Sequence, residues 1–137
     1  SDAGSVSSIE WMTTGIENTL KYVPAEKVIN AIPFYTRVWE STSDGLKSST
    51  LTMGMQKAWL QSNNQTPAWI DECCQNYVEF INASGNSVQC WLEDKESIRV
   101  KLQVMNVQGI AGVAQWKLGI EDSEVWEVIG QYINGTL

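Results

Sequence analysis

The sequence predicts an α/β fold built around a parallel βαβ unit. Three features carry that expectation. Residues 28–34 (Val-Ile-Asn-Ala-Ile-Pro-Phe) and 110–114 (Ile-Ala-Gly-Val-Ala) are short, nearly continuous apolar runs of the kind buried on both faces of a parallel sheet. The long stretch between them ends in an amphipathic helical pattern, as a crossover between parallel strands requires. Helical patterns also precede the first run and follow the second.

Each element has its own local signal. Ser7 is placed to cap a first helix, with Glu10 three residues on as in a capping box. Ile9, Met12, Ile16 and Leu20 recur at helical spacing, and Pro24 ends the pattern. The first strand is expected to carry on to a carboxyl end at Phe34-Tyr35-Thr36-Arg37-Val38-Trp39. Residues 41–50 are rich in Ser and Thr around Asp44 and Gly45 and read as a loop. Residues 53–63 suit a short helix, with Met55, Trp59 and Leu60 on one side. Residues 66–71 suit a weak strand, and 76–81 with 87–92 a hairpin around Asn82-Ala83-Ser84-Gly85-Asn86. Asp94 caps a helix whose stripe is Ile98, Leu102 and Met105, widened by Val100, Val104 and Val107. Gly109 ends it, and the second strand follows. A last helix over 123–133, capped by Asp122 or Ser123, turns Val125, Trp126, Ile129 and Ile133 inward.

Composition removes several classes of chemistry. The 137 residues suit one compact unit with a sizeable core. Nine Lys and Arg against sixteen Asp and Glu give a net charge of −7, so no nucleic-acid partner is expected and an anionic membrane surface is disfavoured. No apolar run reaches the ~18 residues of a membrane helix. There is no histidine, which removes Ser-His-Asp and Cys-His catalysis and imidazole metal sites. No metal or organic cofactor is implied. Cys73, Cys74 and Cys90 form neither a disulfide framework nor a Cys-x-x-Cys motif, and read as free thiols. Asn64, Asn82 and Asn134 each begin an Asn-x-Ser/Thr triplet, a pattern too common to weigh.

In a parallel α/β unit, ligands gather at the carboxyl ends of the strands. Here those ends carry Tyr35, Arg37 and Trp39 on one strand and Trp116 with Lys117 on the other. A sugar ring packs its C–H face on an indole while its hydroxyls take hydrogen bonds, so these residues suit a carbohydrate. The same tryptophans also suit simple packing under a loop, and Arg37 a surface ion pair with Glu40. Carboxylates are the remaining acid–base candidates. Asp94 is explained by helix capping. Asp71 and Glu72 suit a turn as well as a ligand contact.

These residues resemble a known family. Val23-Pro24-Ala25-Glu26-Lys27-Val28-Ile29 followed by Ile32-Pro33-Phe34-Tyr35-Thr36-Arg37-Val38-Trp39 resembles the seventh barrel strand of glycoside hydrolase family 18, in its bacterial spore-wall and cortex-lytic branch. Gln75-Asn76-Tyr77 and Trp91-Leu92-Glu93-Asp94 with Ser97-Ile98 resemble the insertion module after that strand. The run 109–119 resembles the eighth strand, and 122–128 the closing helix. The resemblance implies the C-terminal part of a (β/α)8 TIM barrel: strands seven and eight with flanking helices over 1–39 and 94–137, and an α+β insertion module over 40–93. It implies a retaining, substrate-assisted, chitinase-like hydrolase of β-1,4 bonds in N-acetylglucosamine-containing glycans, chitin-like or peptidoglycan. The family's Asp-x-x-Asp-x-Asp-x-Glu acid motif does not occur here, so the chain carries no catalytic residue and is expected to be inactive alone. Trp116 matches the tryptophan under the reacting sugar. Tyr35 and Arg37 match positions near the cleft, and Trp69 and Glu72 are candidates for its wall. A cell-wall or spore location outside the cell follows from such a substrate, with an export signal upstream. A partial barrel leaves strand edges open, which predicts dimerisation or strand exchange. The competing expectation is a non-catalytic carbohydrate-binding or adhesion module.

Overall fold

A computed structural model describes residues 2–137. It is a mixed α/β structure with two sheets. The smaller pairs β1 (Ile29–Pro33) with β7 (Gly112–Trp116) in parallel, Ile29 opposite Gly112 and Pro33 opposite Trp116. The larger is antiparallel and holds β2 (Tyr35–Thr42), β3 (Gly45–Thr52), β4 (Ala68–Ile70), β5 (Gln75–Ile81) and β6 (Ser87–Trp91), in the order β3-β2-β6-β5-β4. The helices are α1 (Ile9–Leu20), α2 (Gln56–Ser62), α3 (Lys95–Gln108) and α4 (Val125–Ile133).

Each sheet has its own core. Ile32 and Phe34 from the β1 run meet Met12 and Ile16 of α1, Ile98, Leu102 and Met105 of α3, and Val125, Val128 and Ile129 of α4. The second core joins Leu51, Val78, Cys90 and Leu92 with Trp59 and Leu60 of α2. The helical spacing read from the sequence therefore selects Met12 and Ile16 of α1 and Ile98, Leu102 and Met105 of α3, but not Val107, which is 88% exposed because it lies off the buried face in the last turn of α3. In α4 it is off by part of a turn: Val128 is buried, while Trp126 is 39% and Ile133 71% exposed.

Three boundaries differ from expectation for local reasons. Ser8, not Ser7, caps α1: its backbone is extended and its Oγ accepts the Trp11 N–H at 3.3 Å. The first strand ends at Pro33, and Tyr35 to Trp39 belong to the antiparallel sheet. Residues 41–50 are not a loop. They form most of a β2–β3 hairpin, turning at Ser43-Asp44 with Gly45 at φ +109°. Residues 45–50 are exposed on both sides of an edge strand, so no apolar alternation reveals them. At the helix α3 start the reading holds: Asp94 Oδ1 accepts Glu96 and Ser97 N–H at 3.1 and 3.0 Å, and Ser97 Oγ accepts the Asp94 N–H.

All three cysteines are free. Cys90 lies in the second core, where burial pushes its thiol up to about 12 against the opposing bond from Thr36. A thiol raised above its unfolded value stabilises the fold fully below the unfolded range and loses that contribution as pH rises toward the folded value. We expect the melting temperature to fall between about pH 9 and 12 and the Cys90→Val variant to flatten that fall. An identical slope in the variant would assign it elsewhere. In the native state at pH 8, a disulfide reagent should titrate Cys73 and Cys74 and spare Cys90.

Candidate functional site

Three of the site candidates, Trp116, Tyr35 and Arg37, lie on the segments that meet where one sheet passes into the other. Phe34 is the junction: its N–H donates to the Trp116 carbonyl at 2.8 Å, and its carbonyl accepts the Met53 N–H at 2.9 Å. Its ring is fully buried and meets Trp126 edge-to-face, with centroids 5.8 Å apart. Trp116 stands at the carboxyl end of β7, 66% exposed, and the bond to Lys117 after it is cis.

Tyr35 and Arg37, two and four residues beyond Pro33, lie on one face of β2, because residues alternate along a strand. Arg37 Nη1 donates to Ser48 Oγ at 3.2 Å across the hairpin. Its pairing with Glu40 does not form. Glu40 instead accepts Asn82 and Asn86 Nδ2 at 2.7 and 2.8 Å, and these amides hold its carboxyl below the usual range. The structure thus brings Tyr35 and Arg37 together, next in the chain to the Phe34–Trp116 junction.

Trp69 and Glu72 are set apart from them. Trp69 sits on β4, at the far edge of the sheet from β3, and is 40% exposed. It pairs with Asn76 and so shares the Val78 and Phe80 face, opposite the face of Tyr35 and Arg37. Glu72 is exposed in the turn between β4 and β5.

The paired carboxylates resolve into separate roles. Asp94 is the α3 cap, and its Oδ2 also accepts Asn76 Nδ2 at 2.8 Å. Glu93 is completely buried and forms an ion pair with Lys101, which is 1% exposed. Gln75 Nε2 donates to Glu93 Oε1 at 2.8 Å and Ser97 Oγ to Oε2 at 3.0 Å, while Ser5 Oγ donates to Gln75 Oε1 at 2.5 Å. Burial pushes the Glu93 carboxyl up, and the Lys101 ammonium pulls it back. This cluster ties the N-terminal segment, β5 and α3 together. Sequence reading missed it, although Ser97 and Lys101 share a helix face and Glu93 lies four residues before Ser97.

Among the described residues, no group of three or more Cys, Asp or Glu side chains is arranged to hold a metal ion. Among the same residues, no helix is long and apolar enough to cross a membrane.

No family model matches the chain. It is 25% identical over 128 residues to the uncharacterized glycosylase YvbX of Bacillus subtilis, covering 93% of this chain and 37% of that protein. It is 22% identical over 132 residues to the cortical fragment-lytic enzyme of the same organism, covering 95% and 31%. The chain thus spans about a third of the length of these curated relatives. Among solved structures, it superposes on the spore cortex-lytic enzyme SleL of Bacillus megaterium with TM-score 0.86 at 18% identity, covering 96% of this chain and 31% of that one. It matches a chitinase from Chromobacterium violaceum with TM-score 0.85 at 23% identity, covering 96% and 41%. The resemblance carried by the two strand motifs is thus met by glycosylases in sequence and by cortex-lytic enzymes and chitinases in fold.

Proposed function

We propose that this chain, a relative of glycosylases and cortex-lytic enzymes, forms part of a family 18 glycoside hydrolase acting on N-acetylglucosamine-containing cell-wall glycans. In this reading β1 and β7 are strands seven and eight of a (β/α)8 barrel. The segments 1–39 and 94–137 belong to that barrel, and 40–93 is its α+β insertion. The observation that carries the reading is the parallel β1–β7 pair with an exposed tryptophan at its carboxyl end, beside Tyr35 and Arg37. Active sites of such barrels gather at that end of the strands. Each strand of the pair keeps one edge unpaired among the described residues. The remaining strands of a barrel would cover those edges.

The roles follow from chemistry. Trp116 floors the site under the reacting sugar, its flat apolar face against the ring. Arg37 offers a fixed fork of donors to sugar oxygens, and Tyr35 a hydroxyl. The acid that protonates the leaving oxygen lies outside this chain. The substrate's own 2-acetamido group attacks the anomeric carbon, which gives retention without an enzyme nucleophile. The glycan is cell-wall or spore-cortex material, which places the working enzyme outside the cytoplasm.

The test is hydrolysis of N-acetylglucosamine oligomers by the full reading frame and by this chain. We expect turnover by the former alone, and Trp116→Ala to lower kcat/KM about a hundredfold, the scale of one lost positioning contact. Turnover by this chain alone, or full activity without the indole, would sink the reading.

A further inference from the structure

The start of α2 is held against two other parts of the chain. The Gly54 N–H donates to the Ile120 carbonyl at 2.9 Å, and a side chain at Gly54 would meet the Glu121 carbonyl at 2.9 Å, so this turn presses on the segment before α4. Lys57 then bridges to Asp122 at 2.9 Å and Glu124 at 3.2 Å. Gln56 Nε2 donates to the Glu93 carbonyl at 2.8 Å, just before α3. Between α2, the start of α3 and the start of α4 lies a cavity of about 170 Å³. Leu60 and Leu92 from the second core and Met53 and Val125 from the first line it, with the half-buried Pro67. Because α2 packs on the Val78 and Phe80 side of the sheet, the cavity is on the opposite side from Tyr35 and Arg37.

One polar group in its wall lacks a partner. Gln56 is 5% exposed, and its Oε1 meets no donor among the described residues. Turning the amide over does not help, because the Glu93 carbonyl needs the Nε2 donor. A buried acceptor without a donor is uncommon in folded proteins, since it forfeits the bonds it made to water. We propose that this cavity binds a small neutral molecule, a single apolar ring carrying an O–H or N–H that donates to Gln56 Oε1. The size fits, because an apolar cavity of about 150 Å³ takes a benzene ring. A lone water satisfies the oxygen but leaves the apolar wall without contacts. The charges also select a neutral ligand. Around the cavity Asp94, Glu96, Asp122 and Glu124 outnumber Lys57 and Lys95, and Lys95 is engaged by Glu127 at 2.6 Å, which disfavours an anion. The Glu93 carboxylate is matched by Lys101, and a cation would leave water for one neutral oxygen. The site goes beyond the glycan reading, since Trp116, Tyr35 and Arg37 do not line it.

The experiment is fluorine NMR on the protein of the full reading frame with 4-fluorophenol and 4-fluorotoluene, which differ by a hydroxyl against a methyl. We expect 4-fluorophenol to bind roughly tenfold more tightly, the scale of one hydrogen bond to an otherwise unpaired acceptor. Gln56→Met should abolish that preference. Pro67→Trp, on a half-buried residue, should block both probes with Gln56 in place, so a folding defect in the first variant does not decide the outcome. An excess of N-acetylglucosamine tetramer should displace neither probe. Equal binding of the two probes, a preference that survives Gln56→Met, binding that Pro67→Trp leaves intact, displacement by the tetramer, or no binding at millimolar probe overturns the site. Each of these leaves the proposed function standing, because hydrolysis of the oligomers is measured separately.

Discussion

Replacing Lys101 by Met should cost about 3–5 kcal/mol of stability near pH 8, the price of leaving one partner of a buried ion pair uncompensated. Glu93 has no access to water, and Lys101 is the only cation bonded to it among the described residues. Its remaining bonds, from Gln75 and Ser97, are neutral donors that cannot replace an ammonium. Without Lys101 the carboxyl is pushed further above its unfolded value. The sign then follows from linkage. An acid raised in the folded state is least costly below its unfolded range, where it is neutral in both states, and the cost grows as pH rises through the folded value. The difference between Lys101→Met and wild type should therefore shrink as pH falls from 8 toward 4. Denaturant titrations of both proteins across that range measure it. A difference below 1 kcal/mol at pH 8, or one that ignores pH, would mean that the pair is solvated. The double variant Glu93→Gln with Lys101→Met removes both charges and should recover much of the loss.

Phe34→Ala should cost about 3–5 kcal/mol, the usual range for truncating a fully buried aromatic side chain. The ring is completely buried, and its backbone is bonded on both sides, to Trp116 and to Met53. The cavity would open where one sheet hands the chain to the other, so the loss should be seen beyond stability. Trp126 loses its edge-to-face partner, and its fluorescence should shift toward that of a solvated indole. Val78→Ala, buried in the second core rather than the one that holds Phe34, is the control: destabilisation with Trp126 unmoved. If both variants shift the fluorescence alike, Phe34 is ordinary core.

Much of this architecture can be read from the residues alone, for reasons that also explain what cannot. The helices α1 and α3 declare themselves because one face of each is buried in the first core, which forces Met12 and Ile16, and Ile98, Leu102 and Met105, into helical spacing. The strands β1 and β7 are visible as short apolar runs. The β2–β3 hairpin is invisible because its outer strand buries little beyond Leu51, and serine and threonine at an exposed edge look the same as in a loop. Trp116 stands at the end of a parallel strand as the apolar run foretells, whereas Tyr35 and Arg37, read by the same rule, lie in the antiparallel sheet. Lys101 escapes for another reason: a charged residue is read as solvent-facing unless its distant partner is known. Gln75 and Glu93, which complete its site, lie on a different stretch of chain.

The chain leaves the parallel pair just after Phe34 and returns to α3 just after Leu92, and these two points are neighbours, since Thr36 bonds the Trp91 carbonyl. A detour whose ends already touch is cheap to lengthen or shorten, because closure entropy grows only with the logarithm of loop length. The antiparallel sheet is thus a part that descent can trim, enlarge or exchange without disturbing the strand ends that carry Trp116. Variation among related proteins should concentrate between Thr42 and Asn86, while Phe34 and the Glu93–Lys101 pair, which hold the two ends together, change little.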